Sequence, residues 1–103
     1  MQIRVLPAAR ERLLGIWQYT SDAWGDAQAD TYINGLVAAA NTLPAQRDLW
    51  RPVKEKRFIG IYFFRYGHHD IFFKVLEDGA LGILSILHEK MDLPSRLTDD
   101  MES

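Results

Sequence analysis

The sequence predicts an α+β domain in which an N-terminal strand and an antiparallel helical hairpin pack on a three- to four-stranded antiparallel sheet. Three observations predict it. Apolar residues recur at three- and four-residue steps between Ala9 and Leu43, the period of an amphipathic helix. From Phe58 onward the chain becomes rich in Phe, Tyr, Ile and Val and is broken by turn signals, which is strand and hairpin composition. Before Pro7, Ile3 and Val5 alternate with Gln2 and Arg4, a short half-buried strand.

The elements follow in order. Proline suits a first helical turn because its missing N–H loses no partner there, so the first helix starts at Pro7. Its stripe is Ala9, Leu13, Ile16, Trp17, Thr20 and Trp24, and Gly25 stops it with a conformation that costs glycine little. Asp26 is a good N-cap for the second helix. There Ala29, Ile33, Leu36, Ala40 and Leu43 repeat in four-three-four-three steps beside Tyr32, and Pro44 ends the run. A one- or two-residue link forces the two helices back on each other. Gly35, which costs about 1 kcal/mol against alanine in a helix, marks tight packing.

Residues 44–57 read as a polar loop. Three strands follow, Phe58–Tyr66, His69–Leu76 and Leu81–Leu87, joined by turns at Gly67-His68 and Asp78-Gly79. A single domain spans residues 1–97, and residues 98–103 read as an acidic, mobile tail. The strands are apolar on both faces. Phe58, Tyr62, Phe64 and Tyr66 oppose Ile59, Ile61 and Phe63, while Phe72 and Leu76 oppose Ile71, Phe73 and Val75. Such a sheet needs two covers. The hairpin supplies one. Either Leu49, Trp50 and Val53 fold back over the other face, or a partner protein covers it.

Composition narrows the function. The 103 residues are 48% hydrophobic and 25% charged, with a formal charge of −2, so the chain is no polycation built for nucleic acid. Without cysteine there is no disulfide, thiolate zinc site or cysteine nucleophile, and a reducing, cytoplasmic compartment fits. No apolar run is long enough for a signal peptide or a membrane span. Phosphate loops, dinucleotide fingerprints and nucleophile elbows are missing. His68 and His69 would point to opposite faces of a strand, and His88 joins them only if the fold converges all three, so they read as solvated or core imidazoles. Arg47, Arg51, Lys54, Lys56 and Arg57 form the densest basic cluster, with Trp50 as a possible stacking platform. Interleaved Asp48 and Glu55 make a solvated loop the favoured alternative. No catalytic residue, metal or cofactor is expected, and the protein is read as one that works by binding.

Three segments carry a family resemblance. The hairpin reads Ile16-Trp17-x-Tyr19-Thr20 and then Trp24-Gly25-x-x-Gln28-Ala29-x-x-Tyr32. The meander reads Gly67-His68-His69-Asp70-Ile71-Phe72-Phe73-Lys74, and the last strand runs into Ile86-Leu87-His88-x-Lys90-Met91-Asp92. From about Leu6 to Leu97 the chain resembles the ParE branch of the RelE/ParE toxins of bacterial type II toxin–antitoxin systems. The resemblance implies a non-enzymatic toxin that poisons DNA gyrase and is neutralised by a ParD-like antitoxin. It implies that the antitoxin's other half, rather than this chain, binds operator DNA. Target-binding candidates are His88, Lys90, Met91 and Asp92, where the family signature runs past what core packing requires. The candidate antitoxin anchors are Trp24, Tyr32, Phe64 and Phe72, since aromatics dominate such interfaces. Relatives commonly carry arginines where this chain has Tyr62, Phe63 and Ser85, a departure that bears on potency and target. The alternatives are a RelE-type ribosome-dependent mRNA endonuclease, with Lys54, Lys56, Arg57 and Lys90 as candidate cations, and a degenerate toxin that only binds antitoxin.

Overall fold

The computed structural model describes residues 1–91 and 93–102. Strand β1 (Ile3–Val5) leads into helix α1 (Pro7–Trp24), and α2 (Asp26–Thr42) returns beside it. Short 3-10 turns and β2 (Arg51–Pro52) follow, then β3 (Tyr62–Tyr66), β4 (His69–Val75), β5 (Leu81–His88) and helix α3 (Leu93–Glu102). The sheet has five strands in the order β1-β5-β4-β3-β2. It exceeds the expected strand count, and it is mixed, because β1 pairs parallel to β5 while the other pairs are antiparallel. Leu81 N–H donates to Gln2 O and Leu6 N–H to Ile83 O, so the chain enters α1 directly from this edge strand.

Local signals place the hairpin. Gly25, at φ 95°, is the single residue between α1 and α2 and holds the cap position expected for Asp26. Its carbonyl accepts the Ala29 N–H, while the Asp26 carboxylate takes the Ser21 hydroxyl instead. Gly35 packs beneath Tyr66: a Cβ there would fall inside the tyrosine hydroxyl. Gly67, at φ 57°, occupies the first central position of the two-residue β3–β4 turn, where a type II′ turn needs glycine. In the β4–β5 turn Gly79 is at φ 87° and the Asp78 carboxylate accepts the Ala80 N–H.

Two cores sandwich the sheet. On the hairpin side Ala9, Leu36, Ala40 and Leu43 meet Ile71, Phe73, Leu81, Ile83 and Ile86, with Tyr62, Phe64 and Tyr66 packed against them. On the other side Val53, Phe58, Ile61 and Leu97 cluster with Phe72, Leu84 and Leu87. The chain thus covers both faces of its own sheet, and the open apolar surface lies elsewhere. Among the loop residues expected as a cover, only Val53 serves. Trp50 sits on the hairpin side, edge-on to Phe73 at 5.1 Å, and donates to Leu43 O at 2.9 Å. Leu49 is exposed. Phe58 lies in a 3-10 turn rather than in β3, and Ile59 is exposed beside Gly60 at φ 87°, a conformation that interrupts an extended run.

The greater difference is at the C-terminus. Residues 98–102, expected as a mobile tail, belong to α3. Leu97 is fully buried, and Asp100 is gripped by Arg12 of α1 through two hydrogen bonds at 2.9 and 3.1 Å. The same carboxylate accepts the hydroxyl of buried Ser85 on β5. One acidic side chain therefore ties α3 to both α1 and the sheet.

A β-bulge sets the phase of β5. Phe72 pairs with Ser85 but Phe73 pairs with Ile83, leaving Leu84 as the extra residue. A bulge reverses the in–out alternation beyond it. Leu81 and Ile83 face the hairpin before the bulge, and Ile86 faces it afterwards, with Leu84 and Leu87 in the opposite core. His88 is consequently brought opposite His69, its partner in the ladder.

Candidate functional site

An open groove of about 670 Å³ runs between the outer half of α1, the start of α2 and the ends of β4 and β5. From α1 it takes Arg12, Gly15, Ile16, Tyr19 and Trp24, and from α2 Gln28 and Tyr32. The strand ends contribute His68, His69, Ile86 and His88, and Met91 lies just beyond. The apolar stripe of α1 accounts for the upper wall. Ala9, Leu13 and Ile16 pack inward, and Trp17 donates to Asp30 of α2 at 2.8 Å. Trp24, on the same predicted stripe, is instead 75% exposed, as is Tyr19. Large aromatics left this open at a groove are unusual for a surface that stays in water.

Three imidazoles form the floor at the sheet end. The His69 and His88 rings meet edge to face at 5.2 Å, and His68 stacks on His88 at 6.0 Å. The fold thus converges histidines that the sequence left apart. Tyr32 Oη lies 2.6 Å from His69 Nδ1 and 3.3 Å from Tyr66 O. The Tyr32 hydroxyl donates to Tyr66 O, and its oxygen accepts the His68 N–H and is in hydrogen-bond contact with His69 Nδ1. Burial raises the Tyr32 phenol above its ordinary value, so it remains a donor. Burial, aided by His88 and His68, lowers the His69 imidazole to about 4, so the ring is neutral near pH 7. Around the rim Arg65 bridges Asp70 and Glu89, with Glu89 3.4 Å from His68 Nδ1. Among the described residues no group of three or more His, Cys, Asp or Glu is placed to hold a metal ion.

This linkage gives a pH prediction. In the unfolded chain a histidine titrates near 6.5, while folded His69 resists its proton until about pH 4. The unfolded state binds more protons between those limits, so stability is complete above about 6.5 and falls as pH drops towards 4. Discounted for a half-exposed ring, the loss is about 1–2 kcal/mol. Urea midpoints at pH 7 and 4.5 should differ less for His69→Gln than for wild type; equal differences would assign the acid loss to other groups.

The expected site residues divide. Trp24 and Tyr32, expected to hold an antitoxin, and His88 and Met91, expected to hold a target, line this one groove. Lys90 is exposed beside it, and its N–H donates to His88 Nδ1 at 3.1 Å. Asp92 lies outside the described residues. Phe64 packs against the hairpin core and Phe72 is 1% exposed in the opposite one. These two lie on opposite faces of the sheet, in two separate cores. Aspartate at Phe72 would therefore unfold the chain before it tested any interface. A smaller groove of about 470 Å³ on the α3 side is lined by Arg51, Lys54, Phe63 and Phe72, among others. Of the four candidate endonuclease cations only Lys54 lines either groove, and Arg57 is paired with Glu55.

Comparison with known proteins agrees with this architecture. Residues 3–93 match the family described as the ParE toxin of the type II toxin–antitoxin system parDE. The chain belongs to the ParE toxin family. It is 33% identical to Toxin ParE of Escherichia coli over 103 residues, covering 99% of each chain. To Toxin ParE1 of Mycobacterium tuberculosis it is 33% identical over 91 residues, 88% of this chain and 92% of that one. A chain of the chromosomal ParDE system of P. aeruginosa has the same fold, with a TM-score of 0.73 at 18% identity over 85% of this chain and 95% of the other. So does a chain of the RelBE2 toxin–antitoxin complex of M. tuberculosis, with a TM-score of 0.62 at 16% identity over 84% and 95%. In this ParE-family toxin no described helix is long and apolar enough to cross a membrane.

Proposed function

We propose that this toxin acts in the cytoplasm without enzymatic chemistry, inhibiting DNA gyrase, and that a ParD-like antitoxin neutralises it by filling the α1–β5 groove. The observation that carries this reading is the sharing of one groove by Trp24 and Tyr32 with His88 and Met91. Residues expected to serve two partners adjoin, so an antitoxin seated on the aromatic end covers the histidine end as well. Neutralisation is then steric exclusion of the target. Similarity to the E. coli ParE toxin along 99% of the chain, and the fold shared with chains of two toxin–antitoxin systems, support it. The histidines support binding rather than acid–base work: His69 Nδ1 is already engaged by Tyr32 and His88 Nδ1 by the Lys90 N–H.

The test is a supercoiling assay with purified gyrase, run beside a cell-free translation reaction. Cleaved DNA should accumulate on adding toxin, disappear on adding antitoxin, and translation should proceed. Codon-specific mRNA cuts with unimpaired gyrase would establish the endonuclease alternative, and silence in both assays with antitoxin bound would establish a degenerate toxin.

A further inference from the structure

Residues 47–57 carry Arg47, Arg51, Lys54, Lys56 and Arg57 against Asp48 and Glu55. That is a net charge of +3 in a chain of −2, so the other residues together hold −5. A split of this size sets a basic surface on an acidic body. The segment is fixed from inside. Val53, Phe58 and Ile61 are buried in the core on the α3 side, the Val53 N–H donates to Ile61 O, and the Ile61 N–H donates to Phe58 O. With those anchors in place all five cations are exposed. Arg47 lies over the Trp50 ring and Arg57 over the Phe58 ring, each at 5.2 Å, which steadies two of the guanidinium groups. Arg4, Arg12 and Arg65 are each held by a carboxylate, but among the described residues Arg57 is the one cation of this segment in an ion pair. That pair is exposed on both sides and therefore weak. Ile59, 83% exposed, stands beside these cations on the turn made with Gly60.

We propose that this loop is a contact surface for duplex DNA: Lys54, Lys56 and Arg57 hold the phosphate backbone of the segment bound by gyrase, and Ile59 enters its minor groove. The inference rests on the reading above and adds the nucleic acid to the protein target. Gyrase works on duplex DNA, whose closely spaced phosphates match a run of exposed cations better than one acidic side chain does. An aliphatic tip flanked by Lys and Arg is the chemistry of a minor-groove wedge, in which cations hold the backbone while the apolar group meets the bases. Phosphate contacts carry no sequence information, and the −5 held by the rest of the chain repels DNA. The contact therefore forms when the target supplies the remainder of the interface, not with free DNA. No residue of this segment lines the α1–β5 groove, so the surface is separate from the one assigned to the antitoxin.

The experiment follows fluorescently labelled full-length toxin binding to purified gyrase, with and without a linear DNA duplex, over a series of salt concentrations. It compares wild type with the triple variant Lys54→Gln, Lys56→Gln, Arg57→Gln and with Ile59→Ser, all at exposed positions, after thermal melts have verified folding. Wild type should bind gyrase with DNA about tenfold tighter than gyrase alone. The triple variant should lose that increment while keeping wild-type affinity for gyrase alone and for antitoxin. Its slope of log affinity against log salt in the presence of DNA should be shallower by about two to three. Ile59→Ser should reduce the increment and leave the slope unchanged. Equal wild-type affinity with and without DNA, or an increment unchanged in either variant, overturns the inference and leaves the proposed function standing. So does loss of binding to gyrase alone in the triple variant, which would assign the loop to an acidic protein surface. Tighter binding of free toxin to RNA than to DNA, abolished in the triple variant, overturns it as well by assigning the cations to RNA. Failure of wild-type toxin to bind gyrase in either state overturns both.

Discussion

Trp24→Asp should leave the toxin folded while weakening its complex with antitoxin by about 100-fold or more, roughly 3 kcal/mol. The two halves of that expectation have separate causes. Trp24 is 75% exposed at the end of α1, so the free protein loses little packing, and surface substitutions usually move stability by about 0.5 kcal/mol or less. In the complex the indole would be desolvated in a groove that also holds Ile16, Tyr19 and Met91, where burying a carboxylate is costly. Circular dichroism melts establish the first half and calorimetric titration with antitoxin the second. An unchanged Kd would remove Trp24, and with it the aromatic end of the groove, from the interface.

Leu97→Ala should destabilise the free toxin by about 2–4 kcal/mol, the cost of emptying a buried leucine site, and lower its Tm by about 10 °C or more. Leu97 is fully buried in the core formed with Val53, Phe58 and Phe72. It is the side chain through which α3 seals the second face of the sheet, while the Arg12–Asp100–Ser85 contacts anchor the helix one turn further on. Equilibrium denaturation in urea measures the loss. A midpoint equal to wild type would mean that α3 adds nothing to the stability of the fold.

Leu97 also shows where sequence reasoning stopped short. Leu97 and Met101 stand four residues apart behind Pro94, a helical spacing with a proline suited to the first turn. The acids that follow are equally the composition of a solvated tail, and local pattern does not choose between the two. Trp50 illustrates another limit. Its apolar character was plain, but the face it would join depended on the two 3-10 turns that carry it to Leu43 O. The hairpin, by contrast, was legible except around its link, where Gly25 rather than Asp26 is the cap and Trp24 is exposed. Gly25 as its link, Gly35 as its close contact and the buried Ala29–Leu36–Ala40–Leu43 stripe all appear as read. Of the site, the aromatic and histidine members were named individually, but their meeting was not foreseen.

The sequence by itself determined the helical hairpin, the two tight turns, the two-faced apolar strands and the family resemblance. Each of those depends on the period or conformational freedom of residues near one another in the chain. Only the tertiary structure decided that α3 closes the sheet, that β1 runs parallel to β5, and that Trp24, Tyr32, His88 and Met91 share a groove. The physical reason for the last is the extra residue Leu84. Without that bulge the alternation set by Leu81 and Ile83 would carry His88 to the α3 side, and a phase change of that kind arises from pairing between strands rather than from the order of residues within one.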